Sequence, residues 1–152
     1  MNHTRWLTGE EMRAWMAFFG AAALLNRRLD QQLKDDADLT HVQYEILGRL
    51  AGAAGHELRM TELAESVYTS QSGVTYQITQ LEKAGLVRRR ICPSGPRAVY
   101  AVLTDAGLAA IEGAAPGHVA AVRELLIDVL TPEQLTAVAD GLGRARDRML
   151  ER

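Results

Sequence analysis

Three times along this chain a threonine stands three residues ahead of a glutamate or glutamine, at the head of an apolar helical stripe. The three are Thr8-Gly9-Glu10-Glu11, Thr40-His41-Val42-Gln43 and Thr131-Pro132-Glu133-Gln134. In such a box the hydroxyl accepts from a backbone N–H that the first helical turn leaves unused. The acid or amide reaches back to the N–H of the threonine. The third box adds proline at the first helical position, where no donor is lost. Thr104-Asp105 is a plainer start, with an acid in the first turn. A chain of 152 residues punctuated in this way reads as mainly helical. What interrupts the helices then decides the fold.

Behind the first start, Trp15, Phe18, Phe19, Ala22, Leu25, Leu29 and Leu33 fall on one helical stripe, which Asp35-Asp36-Ala37-Asp38 ends. A second helix is predicted from about Val42 to Leu50, broken by Gly52 to Gly55. A short third runs from Met60 to about Val67. After the polar turn Thr69-Ser70-Gln71-Ser72, a fourth covers Gln71 to Lys83, with Val74, Ile78 and Leu81 inward and Gly85 at the C-cap. Leu86–Ile91 and Ala98–Leu103 are rich in β-branched residues and flank Pro93-Ser94-Gly95-Pro96, the pattern of a hairpin. Helical spacing then resumes. Val119, Val122, Leu125, Leu126 and Val129 form one stripe. Leu135, Val138, Leu142, Ala145 and Met149 form a heptad-like seam that needs a partner surface.

Helix, helix, tight polar turn, helix, hairpin is the order of a winged helix-turn-helix, whose second motif helix is shaped to enter a major groove. Here that helix offers Ser72, Thr75, Tyr76, Gln77, Thr79 and Gln80, hydroxyls and amides that can donate to and accept from base edges. Its N-terminus, Ser70 to Gly73, offers backbone N–H groups to a phosphate. Charge agrees. The chain carries a net −2, yet residues 67–100 hold five Lys/Arg against one Asp/Glu, while both flanks are acidic. The expected DNA-contacting set is Ser70, Gln71, Ser72, Thr75, Tyr76, Gln77, Gln80, Arg88, Arg90 and, reaching a minor groove from the wing, Arg97.

The series Leu39-Thr40-x-x-Gln43, Met60-Thr61-Glu62-Leu63-Ala64, Ser70-x-Ser72-x-Val74-Thr75, Leu81-Glu82-x-x-Gly85-Leu86-Val87-x-Arg89, Arg97 and Val102-Leu103-Thr104-x-x-Gly107 resembles the MarR family of bacterial transcriptional regulators. The resemblance implies a mainly α fold: a winged helix-turn-helix at 39–103 with a two-stranded β wing, and dimerisation helices at 1–38 and 104–152. It implies a cytoplasmic homodimer that binds double-stranded DNA at a near-palindromic operator, a repressor released by a small aromatic or anionic ligand. Such ligands lodge in the family where the first two helices meet the DNA-binding lobe. That region here holds Trp15, Phe18 or Phe19, and Tyr44, with Arg13, His41 and Arg89 as anchors; the expected ligand-binding set is Trp15, Phe19, His41, Tyr44 and Arg89. Three positions depart from the family pattern. Gly95 replaces an acid ahead of the wing arginine, Tyr76 and Gln80 stand where arginines are common, and Pro96 precedes Arg97.

Other classes find little support. His3, His41, His56 and His118 are scattered, with no phosphate loop and no nucleophile motif, so no enzyme is expected. One cysteine, Cys92, allows neither an internal disulfide nor a cysteine-rich metal site, and no metal or cofactor is expected. The arginines before Cys92 leave a redox-responsive regulator as one alternative. A winged-helix protein-interaction module is the other. The run Ala14 to Leu25 is too short for a membrane span, and no signal peptide precedes it.

Overall fold

A computed structural model describes residues 3–92 and 98–151. It has six helices and one small sheet among them: α1 Gly9–Ala37, α2 His41–Gly52, β1 Glu57–Arg59, α3 Met60–Ser66, α4 Gln71–Lys83, β2 Val87–Ile91, β3 Val99–Leu103, α5 Asp105–Leu125 and α6 Pro132–Leu150. Each anticipated start is built as its residues dictate. Glu11 N–H donates to Thr8 Oγ1 at 3.2 Å and Thr8 N–H to Glu11 Oε2 at 2.8 Å. The same reciprocal pairs close the Thr40–Gln43 and Thr131–Gln134 boxes. Thr104 Oγ1 accepts from Gly107 N–H, and Ser70 caps α4 by accepting from Gly73 N–H. Gly85, at φ +77°, makes the left-handed turn after α4 that glycine adopts without strain.

The mainly α winged fold is as expected, with one addition. The sheet has three strands in the order β1-β3-β2, all antiparallel, not the two of a simple hairpin. The extra strand, β1, is three residues long and follows Gly55 at φ +67° and His56 at φ +54°. It pairs Glu57 with Val102 and Arg59 with Tyr100. The hairpin tip, Pro93 to Arg97, lies outside the described residues, so the expectation for Arg97 does too; at its base Cys92 N–H donates to the Ala98 carbonyl at 3.1 Å.

The chain forms two compact units, one running from Asn26 to His118 and the other made by the chain ends, up to Leu25 and from Val119 on. In the first, Leu33, Ile46, Leu47, Leu50, Leu63, Val74 and Ile78 are fully buried in one apolar cluster that Ile111 and Ala114 of α5 complete. The C-terminal half of α1, through Leu33, and the first half of α5 supply part of its core. The unit made by the chain ends has no buried residue among those described, although Trp15 is 50% exposed and Leu142 41%.

The tightest backbone approach in the first unit is at Gly107 in α5. A Cβ there would fall 2.0 Å from the Leu86 carbonyl oxygen, a rigid backbone atom. Gly113, on the same helix, has open space where its Cβ would stand. Gly107→Ala is therefore expected to destabilise by more than about 2 kcal/mol, through forced backbone displacement. Gly113→Ala is expected to be neutral or to stabilise by up to about 1 kcal/mol. Urea denaturation of both variants checks the pair.

Candidate nucleic-acid interface

The candidate reading element is α4. Val74, Ile78 and Leu81 are buried, which turns Gln71, Ser72, Thr75 and Tyr76 outward, with Tyr76 62% exposed. Thr75 and Thr79 spend their hydroxyl protons on carbonyls one turn back, Gln71 and Thr75 respectively. Their oxygens keep acceptor capacity. Ser70 and Ser72 hydroxyls lie 3.2 Å apart beside the helix N-terminus. The outward face is thus polar and uncharged, with an aromatic phenol in its middle.

Gln77 and Gln80 are half-buried; Gln80 follows Tyr76 one turn on along the same side of α4, while Gln77 is turned toward α2. Gln77 Oε1 accepts from Gln43 Nε2 at 3.2 Å, while Gln43 Oε1 accepts from the Thr40 N–H at 3.1 Å. The amide that completes the capping box of α2 therefore also grips the middle of α4, a role that spacing alone did not reveal.

The three consecutive arginines of β2 part ways because strand neighbours face opposite sides. Arg89 turns to α4. Its guanidinium donates to Glu82 Oε1 at 2.8 Å, Thr79 Oγ1 at 2.8 Å and the Thr75 carbonyl at 3.3 Å, and its backbone N–H donates to Glu82 Oε2. Arg90 turns to the sheet's other face and forks onto Glu57 of β1 at 2.8 and 3.1 Å. Hydrogen bonding to Glu57 holds its pKa above the ordinary arginine value. Its guanidinium lies 4.4 Å from the centre of the Tyr100 ring, a cation–π stack. Arg59 donates to the Tyr100 hydroxyl at 3.1 Å from the other side. Arg88 is exposed, with no ion-pair partner among the described residues. Of the arginines placed on the DNA-facing set, Arg88 is therefore the described one with an uncommitted charge, and Arg90 is engaged within the sheet. Glu57, Arg59, Tyr100 and Glu82 were missed in the sequence, where only the strand alternation of Val87 to Ile91 hinted that Arg89 and its neighbours diverge.

The residues expected to bind a ligand are divided between the two units. Trp15 and Phe19 pair with ring centres 5.5 Å apart in the unit made by the chain ends. His41, Tyr44 and Arg89 belong to the other unit, where Arg89 is committed to α4. Tyr44 packs on His118 at 4.2 Å and His41 on His118 at 5.6 Å. His118 Nδ1 is buried with no hydrogen-bond partner among the described residues. Among those residues no group of three or more His, Cys, Asp or Glu is arranged to hold a metal ion, and no helix is long and apolar enough to cross a membrane.

The sequence profile of the MarR family matches residues 39–99. A MarR-family transcriptional regulator from Streptomyces coelicolor, solved in complex with DNA, is 41% identical and superposes with a TM-score of 0.93 over 100% of this chain and 94% of its own. AbsC, a MarR-family transcriptional regulator from the same organism, is 40% identical at a TM-score of 0.92, over 98% of this chain and 100% of its own. An uncharacterised HTH-type transcriptional regulator of Bacillus cereus is 30% identical over 72% of this chain and 71% of its own. A winged helix-turn-helix with an uncharged polar recognition face is the frame of a DNA-binding regulator, not of an enzyme. The chain belongs to the MarR family.

Two variants test the geometry. Glu82→Gln removes the charge partner of Arg89, and the lost coupling between β2 and α4 is expected to cost about 1–3 kcal/mol in urea denaturation. His118 gives a pH signature. Burial first, and the neighbouring His41 second, hold its pKa below 6.5, with Glu45 opposing. The unfolded chain therefore takes up this proton near the ordinary value and the folded chain only at lower pH, so stability is lost as pH falls through that window. The melting temperature should drop less between pH 7.5 and 5.5 in His118→Gln than in the wild type.

Proposed function

We propose that the chain is a homodimeric repressor that reads a near-palindromic operator through the outward face of α4 and the wing, and that a small-molecule effector releases it. The observation that carries the reading is the presentation of α4. A polar, uncharged face of Gln71, Ser72, Thr75 and Tyr76 is held by three buried apolar residues behind it and by the Arg89 fork beside it. Such a face discriminates bases by hydrogen bonding and apolar contact. Arg88 and Arg97 supply phosphate or groove contacts in this reading, and Ser70 and Ser72 at the helix start supply phosphate contacts.

Dimerisation is supported by the unit made by the chain ends, which buries none of its described residues and exposes Met12, Trp15, Phe18, Phe19, Val138 and Leu142. Apolar surface on that scale is what a partner copy covers. A two-fold dimer carries two α4 helices and so matches half-sites about 10 base pairs apart, one helical turn.

DNA from upstream of the gene is the test substrate. A salt-sensitive gel shift and a two-fold symmetric footprint are expected. Arg97→Ala should weaken operator binding by about 1–3 kcal/mol, and Tyr76→Ala should change which operator variants bind. A footprint on one asymmetric half-site, or equal binding by the Arg97→Ala, Tyr76→Ala double variant, refutes the reading. Leu142→Asp, which sets a charge into the apolar seam, should give a monomer in sedimentation at micromolar concentration.

A further inference from the structure

Strand alternation puts Glu57 and Arg59 of β1, Tyr100 of β3, and Arg88 and Arg90 of β2 on one face of the sheet, opposite the face from which Arg89 reaches α4. Arg90 and Glu57 answer each other there. Arg59 has no part in that pairing. Its Nε donates to the Tyr100 hydroxyl at 3.1 Å, and its guanidinium carbon lies 5.7 Å from the centre of the same ring. Among the described residues, no hydrogen bond or ion pair uses its two terminal nitrogens. Glu62 of α3 acts on Arg59 by its charge without pairing with it. The side chain is exposed, unlike that of half-buried Arg90. Arg59 is thus a guanidinium anchored at one nitrogen, with the N–H groups of the other two left for an acceptor outside the chain.

Strand register places this fork. The three strands share three rows: Glu57–Val102–Arg88, Leu58–Ala101–Arg89 and Arg59–Tyr100–Arg90. The last row is the nearest to the turn between β2 and β3. Arg59 therefore stands two residues, about 7 Å, closer to that turn than Arg88 does. It is also the residue that precedes α3, the helix packed on α4. A cation here lies between the wing and the helix pair, the two parts that meet a duplex in the operator-binding reading above.

We propose that Arg59 binds a backbone phosphate of the DNA, and that Tyr100 is the positioning residue that holds its fork ready. The occupant follows from chemistry. A phosphodiester spreads one negative charge over two non-bridging oxygens, and the two terminal nitrogens of a guanidinium meet such a pair in one plane. The face carries three arginines against Glu57 and stays positive with Glu62 counted, so it favours a polyanion. Fixing Nε on Tyr100 restricts the arginine before the phosphate arrives, so less freedom is lost on binding. A phosphate contact reads no base. Arg59 therefore adds affinity and register, and leaves the choice of sequence to α4.

The inference rests on the DNA-binding reading above, and salt dependence on two duplexes separates the two. Affinity of the full chain for DNA from upstream of the gene, and for an unrelated duplex of equal length, is measured from about 50 to 200 mM salt. In Arg59→Gln the slope of log affinity against log salt should shrink by about 0.9 for each copy engaged, on both duplexes. Affinity should fall about fivefold or more on each, with the ratio between them unchanged. Arg59→Lys keeps the charge without the fork, and should keep the slope while losing part of the affinity. Tyr100→Phe keeps the ring beside both arginines and removes the acceptor of Arg59 Nε. It should weaken binding about two- to tenfold with the slope retained. Circular dichroism and urea denaturation check that each variant is folded. A wild-type slope in Arg59→Gln leaves Arg59 as a prop of the sheet alone and overturns the proposal. A loss confined to the upstream duplex makes it a base reader and also overturns it. Tyr100→Phe binding as tightly as the wild type overturns the positioning role. Equal wild-type binding to both duplexes, with the expected slope change in Arg59→Gln, sinks the operator reading alone. A wild type that binds neither duplex at low salt overturns both.

Discussion

The seating of α4 is the constraint on which the rest of the structure turns. Three apolar side chains, Val74, Ile78 and Leu81, fix its depth in the core, but three points on one face leave a helix able to roll. Two polar contacts oppose the roll from opposite flanks. On one side the Arg89 guanidinium grips Glu82, Thr79 and the Thr75 carbonyl, spanning two turns. On the other, Gln43 holds Gln77. Arg89 shares its strand face with buried Val87, and Ala101 opposite it on β3 is fully buried, so its charge is tolerable only because the fork is satisfied. Apart from Thr75, whose carbonyl takes part in the grip, the residues that set the helix are distinct from those it presents.

The same separation runs through the sheet. β1 adds an edge strand whose chief contribution is Glu57, the carboxylate that receives Arg90. Tyr100, on the central strand, lies opposite Arg59 on one side and Arg90 on the other, as cross-strand partners on one face must. Stacking and hydrogen bonding over that ring join all three strands at the root of the wing. A wing that reaches DNA from its tip depends on such a base, because any looseness at the root is magnified along the hairpin.

Much of this was legible in the sequence where a local rule was sufficient. The Thr–x–x–Glu/Gln boxes located α1, α2 and α6 because capping chemistry is decided within four residues. Gln71 to Lys83 came out with the bounds it has, since Ser70 marks its start and Ala84-Gly85 its end. What escaped was decided by partners far along the chain. β1 is three residues with no pattern of its own, and exists because β3 offers an open edge. The contact of Gln77 Oε1 with Gln43, 34 positions earlier, had no local signal. Nor did the fork of Arg90 onto Glu57, 33 positions earlier.

These pairings change what the charge distribution means. Residues 67–100 read as a basic segment, with five Lys/Arg against one Asp/Glu. Glu82 lies within that segment and is matched to Arg89, while Glu57 lies outside it and is matched to Arg90. A charge already paired within the protein releases few counterions when a phosphate approaches, because its own field has been answered. Among the described residues of that segment, Lys83 and Arg88 have no ion-pair partner, and the outward face of α4 carries no charge. In the proposed reading, affinity built on few phosphate contacts leans on hydrogen bonds, helix-terminal N–H groups and aromatic contact at Tyr76, which are less sensitive to salt than ion pairing. Selectivity then follows from geometry more than from charge. In that reading the hydrogen bonds of Arg89, Gln43 and Gln77 serve selectivity indirectly, by holding α4 in one seating.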